Sequence, residues 1–130
     1  MSTPIAGGSP VLLADIPGDE YAIAGMDDSN LYLVGLHGSG ILRMLKSGAS
    51  RTVLVPALPT SDAFGSVLVD GGWVYFVDMR AAKLQRVPTS GGPIEIVADE
   101  NGDGIGTMAA DDCAIYWTAG VPPRLMRRAK

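Results

Sequence analysis

The side chains best suited to chemistry in this chain fall in its glycine-, alanine- and proline-rich connections. His37, the single histidine, sits in Gly35-Leu36-His37-Gly38-Ser39-Gly40. An imidazole there can act as a general base or a metal ligand. No carboxylate stands at a recognisable spacing from it, and a solvated side chain in a flexible-sequence loop is the simpler reading. Asp78, Arg80 and Lys83 share Asp78-Met79-Arg80-Ala81-Ala82-Lys83, and Arg124 ends Ala119-Gly120-Val121-Pro122-Pro123-Arg124. Together with His37 they are the candidates for contacting a ligand. Asp99-Glu100-Asn101-Gly102-Asp103-Gly104-Ile105 opens like a calcium loop, with oxygens of Asp99, Asn101 and Asp103 at alternate positions. Ala110 stands where an EF-hand would place its Glu, so an ordinary Asn-Gly/Asp-Gly turn competes with the calcium reading. No residue is assigned as catalytic. Gly38-Ser39-Gly40 lacks the strand–turn–helix setting of a phosphate loop or nucleophile elbow.

A repeat positions these residues. Asp27-Asp28-Ser29-Asn30-Leu31-Tyr32, Asp70-Gly71-Gly72-Trp73-Val74-Tyr75 and Asp111-Asp112-Cys113-Ala114-Ile115-Tyr116 align on their tyrosines, 75 − 32 = 43 and 116 − 75 = 41 residues apart. Eleven residues beyond each tyrosine comes Arg43, Arg86 or Arg127. Each unit reads strand, Asp-led turn, strand, loop, strand, turn, strand, because turn residues alternate with short runs of β-branched and aromatic residues. First strands are expected at 22–26, 66–69 and 107–110, and second strands at 31–34, 73–77 and 114–118. The third strands surround the arginines, and fourth strands are expected at 51–55 and 93–98. No segment keeps a 3.6-residue apolar period, so the chain reads as all-β. Four short antiparallel strands every ~40–45 residues is the pattern of a β-propeller blade. The second strands are apolar on both faces, as expected of sheets packed between neighbours. Tyr32, Tyr75, Trp73 and Trp117 are therefore expected between sheets, Asp27, Asp70 and Asp111 at turns, and the single cysteine, Cys113, in the core.

The chain opens out of phase. Gly7-Gly8-Ser9-Pro10-Val11-Leu12-Leu13-Ala14-Asp15 matches Gly91-Gly92-Pro93-Ile94-Glu95-Ile96-Val97-Ala98-Asp99 at an offset of 91 − 7 = 84, which is 43 + 41. Residues 7–15 are thus a surplus outer strand, 16–56 and 57–99 are blades, and 100–130 is a blade lacking its outer strand. The N-terminal strand would complete the last blade. Three blades cannot turn through a circle, and an arc would leave an apolar face bare at each end. Each face, at ~4.8 Å between strands and ~3.3 Å per residue, measures roughly 320 Å². Two copies joined end to end would cover four such faces, on the order of 1,300 Å², and close six blades by homodimerisation. An excised half of a longer propeller is the competing reading.

The second strands Tyr32-Leu33-Val34-Gly35, Tyr75-Phe76-Val77-Asp78 and Tyr116-Trp117-Thr118-Ala119 resemble the YWTD-type six-bladed propellers. The resemblance implies six blades and a binding or scaffold role, with the loops after the second strands on the ligand side. Two alternatives accompany it: a propeller lyase or lactonase using a metal and His37 at the channel mouth, and a structural fragment without a ligand. A net charge of −4 argues against a nucleic-acid partner. The chain is 47% hydrophobic with a mean hydropathy of +0.22, oily for a small domain and in keeping with a surface that awaits a partner. No apolar run reaches membrane-helix length and no signal peptide is evident, so no membrane partner and no compartment are assigned.

Overall fold

The computed structural model describes residues 10, 12, 21–35, 40–56, 64–78, 83–100 and 104–130. They form eleven strands in three antiparallel sheets. The first sheet orders β1 (Tyr21–Met26), β2 (Asn30–Gly35), β3 (Ile41–Leu45) and β4 (Arg51–Val55). The second orders β5 (Phe64–Asp70), β6 (Trp73–Asp78), β7 (Lys83–Pro88) and β8 (Glu95–Asp99). The third has β9 (Ile105–Ala110), β10 (Ala114–Ala119) and β11 (Arg124–Ala129), with β10 in the middle. The chain is all-β in its described residues, and the expected strands appear within a residue or two of their boundaries.

The repeat is a repeat of register. Tyr32 pairs with Arg43, Tyr75 with Arg86 and Tyr116 with Arg127 across the second and third strands of the three sheets. After each third strand a backbone N–H donates to the turn before the second strand: Lys46 to Ser29 at 2.9 Å, Thr89 to Gly72 at 3.0 Å and Lys130 to Cys113 at 3.0 Å. Lys46, Thr89 and Lys130 therefore occupy one structural position.

The turns before the second strands use two chemistries. Asp27 Oδ1 accepts from the backbone N–H groups of Ser29 and Asn30, and Asp111 Oδ1 from those of Cys113 and Ala114, so the carboxylate closes the turn. Gly71 and Gly72 instead adopt φ of 57° and 84°, the mirror-image turn suited to a two-residue hairpin, which leaves the Asp70 carboxylate to serve elsewhere. Cys113 departs from expectation. It is exposed, because it projects from the turn whose N–H groups Asp111 holds.

Alternation along the second strands gives each sheet two apolar faces. Tyr32, Ile41, Leu54 and Val55 of the first sheet pack against Val74, Phe76 and Val87 of the second. The opposite face of the second sheet, with Tyr75, Val77 and Leu84, packs against Ile115, Trp117 and Ala119 of the third. Tyr32, Tyr75 and Trp117 are buried between sheets as expected, and Trp73 is half-buried with the Arg86 guanidinium 3.8 Å from its ring centre. Where β1 meets β5 the backbones come close: a Cβ on Gly25 would lie 2.7 Å from Val69 Cγ2.

Candidate functional site

Four of the candidate ligand-contacting and metal-binding residues lie among the described residues. Asp78 ends β6 and pairs in register with Lys83, which starts β7. The Lys83 ammonium lies 3.9 Å from Asp99 Oδ2, its register partner on β8. Arg124 begins β11, and its guanidinium donates to Glu100 Oε2 at 3.4 Å. His37, Arg80, Asn101 and Asp103 lie outside the described residues. So does the proposed surplus strand 7–15, apart from Pro10 and Leu12, which are exposed and belong to no strand. Among the described residues no cluster of three His, Cys, Asp or Glu side chains could hold a metal ion. Two of the three oxygens assigned to the calcium reading, those of Asn101 and Asp103, are outside that set, and the third residue, Asp99, faces an ammonium.

The described cations at the ends of the second and third strands are thus matched by carboxylates. Glu100, which spacing did not single out, links two sheets. Its side chain is 9% exposed, and Oε1 accepts from the Trp117 indole Nε1 at 3.3 Å while Oε2 takes Arg124. A buried carboxylate needs such partners. It joins the end of the second sheet to the third by a charged bond rather than presenting a free site.

Further ties between sheets were also invisible to motif reading. Arg43 Nη1 donates to the Thr89 carbonyl at 2.6 Å, Arg128 Nη1 to the Val97 carbonyl at 2.7 Å, and the Lys130 ammonium pairs with Asp70 Oδ2. Lys130, which follows its third strand, reaches the turn of the preceding sheet, whereas Arg43, within β3, reaches forward to the second sheet and Arg128, within β11, reaches back to β8. The only sequence signal for this is positional equivalence across repeats.

The turn carboxylates carry the clearest electrostatic signature. The Tyr32 hydroxyl, 2.6 Å from Asp27 Oδ2, is the main cause that holds the Asp27 carboxyl down to about 2, helped by the Ser29 and Asn30 N–H groups. Asp111 is lowered chiefly by the N–H groups of Cys113 and Ala114. A carboxyl lowered from the ordinary 3.8 contributes stability above that value and loses it as the pH falls through the folded value. Melting temperatures measured from pH 5 to pH 2 should fall between about pH 4 and pH 2. Asp27→Asn keeps an oxygen for the turn and should flatten that fall; an unchanged slope would refute the assignment.

The third sheet presents a face that its siblings bury. Along β10, Ile115, Trp117 and Ala119 turn toward the second sheet, so Tyr116 and Thr118 lie on the opposite side. Tyr116 is half-buried there, above a shallow apolar groove lined by Thr107, Ala109, Thr118 and Leu125. Leu125 is 75% exposed. The equivalent tyrosines, Tyr32 and Tyr75, are 0% and 3% exposed under the following sheet. At the other end of the stack, Leu33, Leu42 and Met44 are buried, with Tyr21 packed on them. Their register neighbours Ile23, on β1, and Val53, on β4, share that face and are 66% and 60% exposed, so it is covered in its middle and bare along its edge strands.

No protein-family model matches this chain, and no curated protein matches it in sequence.

Proposed function

We propose that the three sheets are blades of a half-propeller, and that two copies close head to tail into a six-bladed ring serving as a binding or interaction scaffold. One observation carries this reading. The Tyr116 face of the third sheet is the same face that Tyr32 and Tyr75 bury against the next sheet, and it is left open. The matching receptor surface is the first sheet's Leu33 face, since Leu33 holds the strand position that Phe76 and Trp117 hold where they meet Tyr32 and Tyr75. Two copies give two such junctions, and six blades complete the circle.

The strand count supports the same arrangement. β3 and β7 each pair with a fourth strand, whereas β11 lies at the edge of its described sheet. Residues 7–15, alike in sequence to the fourth strand of the second sheet, would add to that edge from the second copy. The second-strand likeness to YWTD-type propellers fits a six-bladed ring. Charged groups matched at the blade ends, Lys83 with Asp99 and Arg124 with Glu100, suit a scaffold better than an active centre.

Small-angle scattering tests the ring. A closed two-copy ring of 260 residues should have a radius of gyration near 18 Å by the scaling for compact domains, against about 14 Å for one compact chain. The smaller value would overturn the reading.

A further inference from the structure

We infer that Lys46 of one copy and Asp111 of the other form an ion pair at each closing junction of the ring, in the place that Lys130 and Asp70 hold within the chain. The inference rests on the half-propeller reading and adds its specific fastening. Three positions follow the third strands: Lys46, Thr89 and Lys130, fixed as equivalent by the same backbone bond in each sheet. Three aspartates precede the second strands: Asp27, Asp70 and Asp111. Within the chain, the first two of these aspartates are connected to the third-strand position of the next sheet. Asp70 of the second sheet pairs with Lys130 of the third. Asp27 of the first sheet is linked to Thr89 of the second through the Tyr32 hydroxyl, which meets both side chains, and the Thr89 carbonyl is taken by Arg43. Thr89 carries no charge, and there the carboxylate takes the Tyr32 hydroxyl instead.

Carried one step further, Asp111 of the third sheet should lie under Lys46 of a second copy's first sheet. The chemistry at both ends fits. Lys46 and Asp111 are exposed in the single chain. Asp111 uses Oδ1 to close its turn and keeps Oδ2, which accepts only a longer 3.2 Å bond from the Tyr116 hydroxyl. Charge is complementary across the junction; an acidic residue at position 46 would have set two carboxylates together. Arg127, the exposed register partner of Tyr116, is positioned like Arg43 and would donate to the partner's Lys46 carbonyl, as Arg43 does to that of Thr89.

Sedimentation equilibrium on the full chain tests the pair. Each ring holds it twice, so Lys46→Ala should raise the dimer dissociation constant about tenfold and Lys46→Glu about a hundredfold. Asp111→Asn retains an oxygen for the Cys113 and Ala114 N–H groups and so keeps the turn. In that background Lys46→Glu should cost far less than in the wild type, which is the signature of direct coupling. A dimeric wild type with Lys46→Glu equally tight, or with the same loss in the Asp111→Asn background, overturns the pair and leaves the ring standing. A monomeric wild type overturns both.

Discussion

Phe76→Ala should lower unfolding stability by about 3–5 kcal/mol, the range for emptying a buried aromatic site in a core. Phe76 is 2% exposed and packs with Val74 and Val87 against Tyr32, Ile41, Leu54 and Val55, so its removal opens a void between two sheets. The surrounding strands are tied in register on both sides and cannot collapse into the gap. Small domains hold only about 5–15 kcal/mol in all, so the variant should unfold at much lower denaturant and be marginal when warmed. Ile96→Ala is the comparison, because Ile96 is 55% exposed on β8 and should cost less than about 1 kcal/mol. Urea titrations at one chain concentration decide it, since coupled association makes midpoints concentration-dependent. Equal losses for the two variants would mean that the first two sheets do not share a core.

The second large effect concerns association. Leu125→Asp should convert the proposed dimer to monomers while leaving the β spectrum intact. Leu125 is exposed in the single chain and lies in the open groove beside Tyr116, so the folded chain tolerates the charge. In a closed ring the same carboxylate would be buried without a cation, twice per assembly, and an unpaired buried charge costs several kcal/mol. A rise in dissociation constant of at least ~10³-fold follows from about 2 kcal/mol per junction. The other side of each junction would contribute chiefly through Ile23 and Val53, exposed on its edge strands, because Leu33, Leu42 and Met44 are already buried in the isolated chain. A variant as tightly dimeric as the wild type would move the interface elsewhere.

The strands were legible in the sequence because turn chemistry and β-branched runs alternate at a fixed period, and these are local properties. The Asp-led turns were legible for the same reason, although Gly71-Gly72 forms its hairpin by backbone conformation and not by capping. Cys113 was misread because the prior that places free cysteines in cores ignores the turn it occupies. Glu100 could not be read at all. It sits inside an apparent calcium motif, and only the packing of Trp117 and Arg124 gives it a role. Lys130 and Asp70 are 60 residues apart in sequence, and their meeting depends on how sheets stack. Positional equivalence did carry the information: 46, 89 and 130 are separated by the same 43 and 41 residues as the tyrosines. A repeat read as register, not as motif, thus points to contacts that single-site reasoning misses.

Three packed sheets whose final tyrosine face is uncovered should, on the half-propeller proposal, find the next sheet on a second molecule. Light scattering of the purified chain across a dilution series reads this most directly. The expected result is a single species at twice the 13.5 kDa chain mass, persisting on dilution to low micromolar concentration. A mass of 13.5 kDa at every concentration would contradict it.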